Sequence, residues 1–262
     1  MRAVRIFETP QDLGQAVAED IAGRILAKAG RFVLGCPGGR SPKPVYAALA
    51  ARGLDLSRLV IVMMDDYLTE VGGVLDHVED RAHCSCRRFA REEIQAVLNA
   101  GLPFAQRIPD ENIWYPDPKS PATYDARIGA AGGIDYFLLA SGASDGHVAF
   151  NPAGSAADSV TRVVTLAEET RRDNLMTFPD FAGLEAVPRH GVTVGIATIA
   201  SARACGMVVW GAGKRLAFQR LSAAPRYRSR SRAARWAAQT ISAGSATAAR
   251  HRMRYRTTPQ NL

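Results

Sequence analysis

Three polar residues have the types and positions that acid–base chemistry requires: Asp65, Asp145 and His147. Asp65 follows six apolar residues of a predicted strand, and a carboxyl group beside an apolar wall holds its proton tightly enough to act as a general base near neutral pH. Asp145 and His147 flank a glycine, so the carboxylate can orient the imidazole and stabilise its charged form. From these residues alone, a structural role as turn or helix caps stays open.

Two further segments carry groups suited to an anion such as phosphate. The turn after the second apolar run contains Gly38, Gly39, Arg40 and Ser41, where glycines let backbone amides approach an anion and the polar side chains add donors. Lys214 stands at the start of a later predicted helix and can pair with the same anion. The glycine spacing fits neither a Walker loop nor a dinucleotide fingerprint. The structural alternatives are a tight strand-to-helix turn and a solvated lysine.

Short apolar runs alternate with amphipathic segments along the chain, which predicts a parallel sheet with right-handed crossovers. The predicted strands are 3–7, 31–36, 59–64, 133–140 and 205–211, and a further segment begins at 191. The predicted helices are 9–29, one beginning at 45, 87–98, 122–130, 198–204 and 214–221. Residues 68–84 are predicted to be loop. The polar clusters follow the predicted strands, at the end where parallel sheets bind ligands.

Composition excludes several classes of protein. The chain has 262 residues, of which 47% are hydrophobic and 22% charged, as in ordinary globular proteins. No apolar run approaches the length of about 18 residues that a membrane span needs. The four cysteines follow no scaffold or zinc-site spacing. We therefore expect a reduced, cytoplasmic protein without a membrane segment.

The net charge of +8 belongs to the end of the chain. Residues 221–262 contain nine of the 33 basic residues and none of the 25 acidic ones, so the rest of the chain is close to neutral. One interpretation is a basic extension that binds nucleic acid or another polyanion through counterion release. The other is an altered reading frame, which the abrupt loss of apolar periodicity near Ala223 favours. Inspection of the coding DNA separates the two.

Five strings of residues together resemble the glucosamine-6-phosphate deaminase/isomerase family. They are Gly-Gly-Arg-Ser-Pro at 38–42, Met-Asp-Asp-Tyr at 64–67, Gly-Ile-Asp-Tyr-Phe-Leu at 133–138, Asp-Gly-His-Val-Ala-Phe-Asn at 145–151 and Gly-Ala-Gly-Lys at 211–214. The fourth string is the most specific. The related 6-phosphogluconolactonases share the broad pattern. The resemblance covers about residues 5–222, so we predict one α/β domain over 1–222 and an atypical Arg-rich tail over 223–262.

The resemblance implies a fold and an activity. The fold is a three-layer Rossmann-like α/β sandwich with a mostly parallel sheet, shared with ribose-5-phosphate isomerases and CoA transferases. The activity is isomerisation and deamination of an amino-sugar 6-phosphate by proton transfer between C1 and C2. No metal or organic cofactor is implied. The partner is a small phosphosugar, and relatives form oligomers, so a homo-oligomer is an expectation. Contact with nucleic acid is expected only through the basic tail.

Roles follow by matching positions. The resemblance makes Asp65 the base that moves the proton between the two carbons, and it places Asp66 where the family has glutamate, among the substrate-binding residues. Asp145 and His147 assist ring opening. The residues that hold the phosphate are Gly38, Gly39, Arg40, Ser41 and Lys214.

Two departures from the family pattern keep other functions open. Pro152 stands where deaminases carry the glutamate that partners the histidine, and Met176 stands at the position of a phosphate-binding arginine, with Arg171 and Arg172 nearby. One alternative is hydrolysis of a 6-phosphosugar lactone, although lactonases usually carry arginine where this chain has Tyr67. Another is a catalytically impaired protein that binds a phosphosugar.

Overall fold

The computed structural model of the protein describes residues 4–223 and 241–244. The α-helices are α1 (Pro10–Ala27), α2 (Lys43–Ala50), α3 (Cys86–Phe89), α4 (Ala96–Asn99), α5 (Ala122–Ala130), α6 (Glu168–Thr177), α7 (Ile196–Ala200) and α8 (Arg215–Ala223), and a π-helical segment (Ala90–Gln95) joins α3 to α4. The strands are β1 (Val4–Phe7), β2 (Phe32–Cys36), β3 (Leu59–Met63), β4 (Asp65–Val71), β5 (Val74–His77), β6 (Ile113–Trp114), β7 (Tyr136–Ala140), β8 (Arg162–Thr165), β9 (His190–Thr193), β10 (Ala204–Trp210) and β11 (Ile241–Gly244). None of these helices is long and apolar enough to cross a lipid bilayer.

Seven parallel strands form the central sheet, in the order β1-β11-β10-β7-β2-β3-β6. Successive residues of a strand point to opposite faces, so each face carries its own apolar cluster. Leu34 and Ile61 pack in the cluster that contains residues of α1 and α2, whereas Val33 and Val60 pack in the cluster that contains residues of α5 and α7. Helices therefore cover both faces. The predicted three-layer α/β fold with a mostly parallel sheet is confirmed.

A second, antiparallel sheet has the order β5-β4-β9-β8. It corrects the prediction of loop over 68–84, because β4 and β5 form a hairpin there. The hairpin turn is made by Gly72 and Gly73, both with positive φ, a conformation that glycine adopts readily. β6, β8 and α6 were also missed. None of the three has a long apolar run, and β6 and β8 are edge strands of their sheets.

The chain passes from the first sheet to the second at Met64. The Met64 amide donates a hydrogen bond to the Cys36 carbonyl (3.2 Å), beside β2, and the Met64 carbonyl accepts one from the Val194 amide (2.8 Å), next to β9. β3 ends at residue 63 and β4 begins at residue 65. The acidic pair predicted to follow a strand therefore stands where the two sheets meet.

The predicted tail begins at residue 223, and most of it, residues 224–240 and 245–262, lies outside the described residues. Apart from Ala223, the last residue of α8, the described part is β11, which the sequence did not predict. It pairs in parallel with β1 on one side and β10 on the other. The central sheet thus takes one strand from the segment that we separated as a tail.

We expect Gly35→Ala to destabilise the fold. Gly35 pairs with Phe137 across β2 and β7, and a Cβ at Gly35 would lie 2.4 Å from Cδ1 of the buried Phe137 ring. Overpacking of this kind costs about 1–3 kcal/mol, to be measured by urea unfolding. The matched control is Gly23→Ala, on the exposed side of α1 with no atom within 4 Å of its Cβ, which should gain about 0.5–1 kcal/mol. Equal effects of the two variants would contradict the packing argument.

Candidate active site

A cavity of about 460 Å³ opens at the carboxyl ends of the parallel strands. Six segments line it: the glycine-rich turn after β2, the crossing from β3 to β4, the start of α3, the loop after β7, helix α6 and the turn after β10. The turns after β2, β3, β7 and β10 are the strand ends at which the sequence placed its polar clusters. Among the predicted site residues, the lining includes Gly38, Gly39, Arg40, Ser41, Asp65, His147 and Lys214.

Asp65 is the acidic residue of the crossing that faces the cavity, yet only 6% of it is exposed. Burial raises the pKa of its carboxyl group to about 7, since a charge is poorly solvated there. The nearby Asp66 also raises this pKa, whereas a hydrogen bond from Cys86 and the proximity of His147 lower it. Asp65 therefore exchanges a proton readily near neutral pH, as a general base must.

Asp66, predicted to bind substrate, lies outside the lining of the cavity. Its side chain is fully buried. Oδ1 accepts hydrogen bonds from the amides of Tyr67 (3.0 Å) and Cys86 (2.9 Å). Oδ2 lies 2.8 Å from His77 Nδ1 and 3.3 Å from Arg87 Nε. Because side chains alternate along a strand, the neighbour of a cavity-facing residue turns inward, and here protein groups occupy its oxygens.

Asp145 and His147 form the pair that their spacing predicted. His147 Nδ1 lies 2.7 Å from Oδ1 of Asp145, and the His147 amide donates to the same oxygen at 3.0 Å. The imidazole bond holds the pKa of Asp145 down at about 2. Asp145 is not part of the cavity lining, so it supports the ring from behind. Thr170 Oγ1 of α6 lies 3.4 Å from Nδ1 and is a second polar neighbour of the ring.

The loop after β7 has a backbone shaped around the imidazole. A Cβ on Gly142 would lie 2.2 Å from His147 Nδ1, so only glycine leaves room for the ring. Gly146 has a φ of 82°, which glycine adopts at no steric cost. Ala149 has a φ of 53°, a left-handed conformation that costs a residue with a Cβ about 1–2 kcal/mol. Such strain persists where the surrounding structure imposes it.

Asp173 of α6, which the sequence did not single out, fastens this loop. Its Oδ2 accepts hydrogen bonds from the amides of Ala143 (2.8 Å) and Ser144 (3.0 Å) and from the Ser144 hydroxyl (3.1 Å). Bonds to a charged acceptor are worth about 1.5–3 kcal/mol each. Asp173 thus ties α6 to the segment that leads into Asp145. Because α6 itself was not predicted, no signal in the sequence pointed to this residue.

Two cationic side chains reach the cavity. Nζ of Lys214 donates to the Ser141 carbonyl, and burial lowers the pKa of this lysine. Arg40 is exposed, and its guanidinium lies 3.4 Å from the Met176 carbonyl. The Met176 side chain is 77% exposed at the cavity rim. Arg40 and Lys214 give this part of the cavity the positive charge that an anion requires.

Asp145, His147 and Asp173 form the group of potential metal ligands found in the described part of the chain, with ligand atoms within 4.8 Å of one another. The contacts of the two carboxylates account for this clustering. Asp145 binds the imidazole, and Asp173 binds the loop amides. The arrangement follows from the construction of the loop, and we assign no metal to it.

Sequence comparisons relate the chain to known enzymes. The family described as glucosamine-6-phosphate isomerases/6-phosphogluconolactonase matches residues 8–247. The chain is 37% identical over 214 residues to the glucosamine-6-phosphate deaminase of Rhodococcus jostii, covering 80% of this chain and 76% of that protein. It is also 37% identical over 205 residues to that of Streptomyces avermitilis, covering 77% and 73%. The family match extends past residue 222, where the resemblance of motifs ends, and includes β11.

Solved structures share the fold. A monomeric glucosamine-6-phosphate deaminase superimposes with a TM-score of 0.75, covering 95% of this chain and 99% of that chain at 24% identity. The 6-phosphogluconolactonase of Trypanosoma cruzi superimposes with a TM-score of 0.67, covering 95% and 96% at 20% identity. At these identities the superpositions establish the common architecture.

We predict that Asp65→Asn stabilises the protein above neutral pH. Below about pH 4 the carboxyl group is protonated in both the folded and the unfolded state, so it has no pH-dependent effect. Between about pH 4 and 7 the unfolded state ionises while the folded state keeps its proton, because the folded pKa is about 7 against an ordinary value of 3.8. The resulting cost rises to at most about 4 kcal/mol and is constant at higher pH. Asparagine does not ionise, so the Asp65→Asn variant does not carry this free-energy cost.

Urea unfolding at pH 4 and pH 8 measures this effect, with Asp145→Asn as the comparison. Because the folded pKa of Asp145 is lowered to about 2, its contribution to stability is present above about pH 4 and is lost as the pH falls toward 2. Asp145→Asn should therefore lower the free energy of unfolding at pH 8. A gain for Asp65→Asn that is the same at both pH values would contradict a titrating buried carboxyl group.

We expect Gly142→Ala to separate His147 from Asp145. The added Cβ would lie 2.2 Å from His147 Nδ1 and 2.8 Å from Oδ1 of Asp145, so the ring must move. NMR should then show loss of the imidazole N–H signal that the Asp145 bond protects from solvent exchange. The control is Gly129→Ala on the exposed side of α5, with no atom within 4 Å of its Cβ, which should keep the signal. An unchanged signal in Gly142→Ala would refute the close approach.

Proposed function

Since the chain belongs to the family of glucosamine-6-phosphate isomerases and 6-phosphogluconolactonases, we propose that it isomerises and deaminates an amino-sugar 6-phosphate. The observation that carries the proposal is Asp65, a buried carboxyl group at the cavity wall with a pKa near 7. The family resemblance inferred from the motifs is confirmed. The relatives at 37% identity are named glucosamine-6-phosphate deaminases, which favours a 2-amino sugar as substrate.

The first step in this proposal is opening of the sugar ring by His147. Opening requires a proton on the ring oxygen and removal of the proton from the C1 hydroxyl, which leaves an aldehyde at C1. His147 lines the cavity, and Asp145 lies 2.7 Å from its Nδ1, so the imidazole is held in one orientation. Asp145 assists from behind and does not contact the sugar.

The second step is proton transfer by Asp65. The ionised carboxylate removes the proton from C2, the electron pair forms the C1–C2 double bond, and the C1 oxygen takes a proton. The protonated Asp65 then returns its proton to C1, which leaves an imine at C2. Water adds to the imine and ammonia leaves, so the sum is amino aldose phosphate plus water giving ketose phosphate plus ammonia. A pKa near 7 lets one carboxyl group both accept and return the proton.

The phosphate of the substrate would lie between Arg40 and Lys214. Gly38 and Gly39 bring their backbone close to the cavity, and Ser41 adds a hydroxyl. Arg40 lies against the carbonyl of Met176, so a guanidinium from the glycine-rich turn reaches the position where the family's arginine is absent. In this proposal Arg40 supplies a cation beside Met176, whose side chain carries no charge.

One observation favours lactone hydrolysis as a second candidate. Pro152 has no side chain with which to partner the imidazole, and His147 instead has Asp145 and Thr170 as its polar neighbours. A histidine supported in this way can also act as a general base toward water. Lactone hydrolysis transfers no carbon-bound proton, so Asp65 would not act as a carbon base in that reaction.

The test is turnover of 2-amino-sugar 6-phosphates and of a 6-phosphosugar lactone in deuterated water. We expect release of ammonia and ketose phosphate from an amino sugar, with deuterium incorporated at C1. Asp65→Asn should lower kcat by at least about 100-fold and abolish the exchange, since general-base catalysis contributes about 10²–10⁴-fold.

The matched control for this experiment is Asp55→Asn, an exposed acid outside the cavity, which should behave as wild type. Hydrolysis of the lactone without exchange would replace the deaminase assignment with the second candidate. Binding of the phosphosugars by calorimetry without turnover of any of them would indicate a catalytically impaired protein.

A further inference from the structure

Cys86, the first residue of α3, contacts the acid that we propose as the base. Its Sγ lies 3.6 Å from Oδ1 of Asp65, and both residues are buried and line the same cavity. In the described part of the chain, this thiol is the side chain that donates a hydrogen bond to the Asp65 carboxyl group. Neither the spacing of the motifs nor the proposed reaction assigns Cys86 a role.

The thiol is a neutral donor at physiological pH. Burial raises the pKa of Cys86 well above its ordinary value, and the neighbouring Asp65 and Asp66 raise it further. A protonated S–H donates a weak hydrogen bond and is a poor nucleophile. Its place beside Asp65 therefore suits hydrogen bonding to the carboxylate rather than covalent chemistry.

The backbone of Cys86 is held by the second acid of the pair. The Cys86 amide donates to Oδ1 of Asp66 at 2.9 Å, and Asp66 is in turn fixed by His77 and Arg87. The Ser85 side chain caps α3 by accepting the Arg88 amide at 3.2 Å. Asp66 thus fixes the backbone of Cys86, and the Cys86 side chain contacts Asp65, which faces the cavity.

We propose that Cys86 is a positioning residue, which holds the carboxylate of Asp65 through a hydrogen bond from its thiol. The proposal rests on the role of Asp65 in the proposed reaction. Burial alone would favour protonated Asp65, which cannot accept a proton from carbon. The thiol donor and the nearby His147 partly offset this effect, while Asp66 adds to it, and the result is a base that ionises near neutral pH.

The experiment compares Cys86→Ser and Cys86→Ala. Both variants remove the sulfur, and only serine keeps a donor. The readouts are the pH dependence of kcat/KM and a ¹³C NMR titration of labelled aspartate carboxyl groups in the full-length protein without substrate, with the Asp65 signal assigned by its loss in Asp65→Asn. We expect Cys86→Ala to move the Asp65 titration and the acidic limb of the profile up by about one pH unit, the worth of a hydrogen bond to a charged group.

Cys86→Ser should titrate below Cys86→Ala and close to wild type, since the hydroxyl still donates. The control is Cys205→Ala, which removes another buried thiol on the far side of the sheet and should leave the titration unchanged. Equal titrations of Asp65 in the serine and alanine variants would overturn the proposal, because the effect would then be packing. So would a loss of activity in both that does not depend on pH.

The two readouts separate failure of this proposal from failure of the proposed function. The NMR titration reports on Asp65 whether or not a sugar is turned over. Wild-type turnover with identical Asp65 titrations in the two variants leaves the function standing and rejects the role of Cys86. Titrations that differ as expected, with no sugar turned over by wild type, support the role of Cys86 in ionisation and reject the reaction.

Discussion

Met64 stands where the chain leaves the parallel sheet and enters the antiparallel one, and its two backbone hydrogen bonds tie both sheets together. Neither sheet alone would make the cavity. The parallel sheet supplies the glycine-rich turn and the loop after β7, while the antiparallel sheet carries the acidic pair and pairs Asp65 with Thr193. The Thr193 hydroxyl also accepts the Phe150 amide at 3.1 Å. The crossing thereby fixes the position of the acidic pair relative to the loop after β7, which carries His147.

Asp65 and Asp66 show how the surroundings of a buried carboxyl group determine what it can do. A buried charge must be paired or hydrogen-bonded, or the group takes up a proton. Asp66 accepts hydrogen bonds from two backbone amides and lies beside His77 and Arg87, so protein groups surround both of its oxygens. Asp65 receives one weak thiol donor and has a pKa near 7. Two identical side chains at adjacent positions therefore differ in their surroundings, one enclosed by protein groups and the other facing the cavity.

Pro152 and Met176 depart from the family pattern, and at each place another residue supplies a polar contact. Pro152 cannot partner the imidazole, and Thr170 of α6 lies 3.4 Å from its Nδ1. Met176 carries no charge, and Arg40 reaches its carbonyl from the glycine-rich turn. Asp173, from the same helix, fastens the loop after β7. Helix α6 thus supplies one side of the site, although most of the recognisable motifs lie on other elements.

The sequence by itself determined the alternating architecture, because buried parallel strands are apolar runs and each run ends in a polar or glycine-rich turn. It also determined that Asp65, His147 and Lys214 line one cavity, since the carboxyl ends of parallel strands share one edge of the sheet. Tertiary structure alone decided the antiparallel sheet and α6, whose residues form no long apolar run. It also decided that Asp65 faces the cavity while Asp66 faces the interior, and that Cys86 contacts Asp65. Those depend on which groups surround each carboxylate, a long-range property that spacing along the chain does not encode.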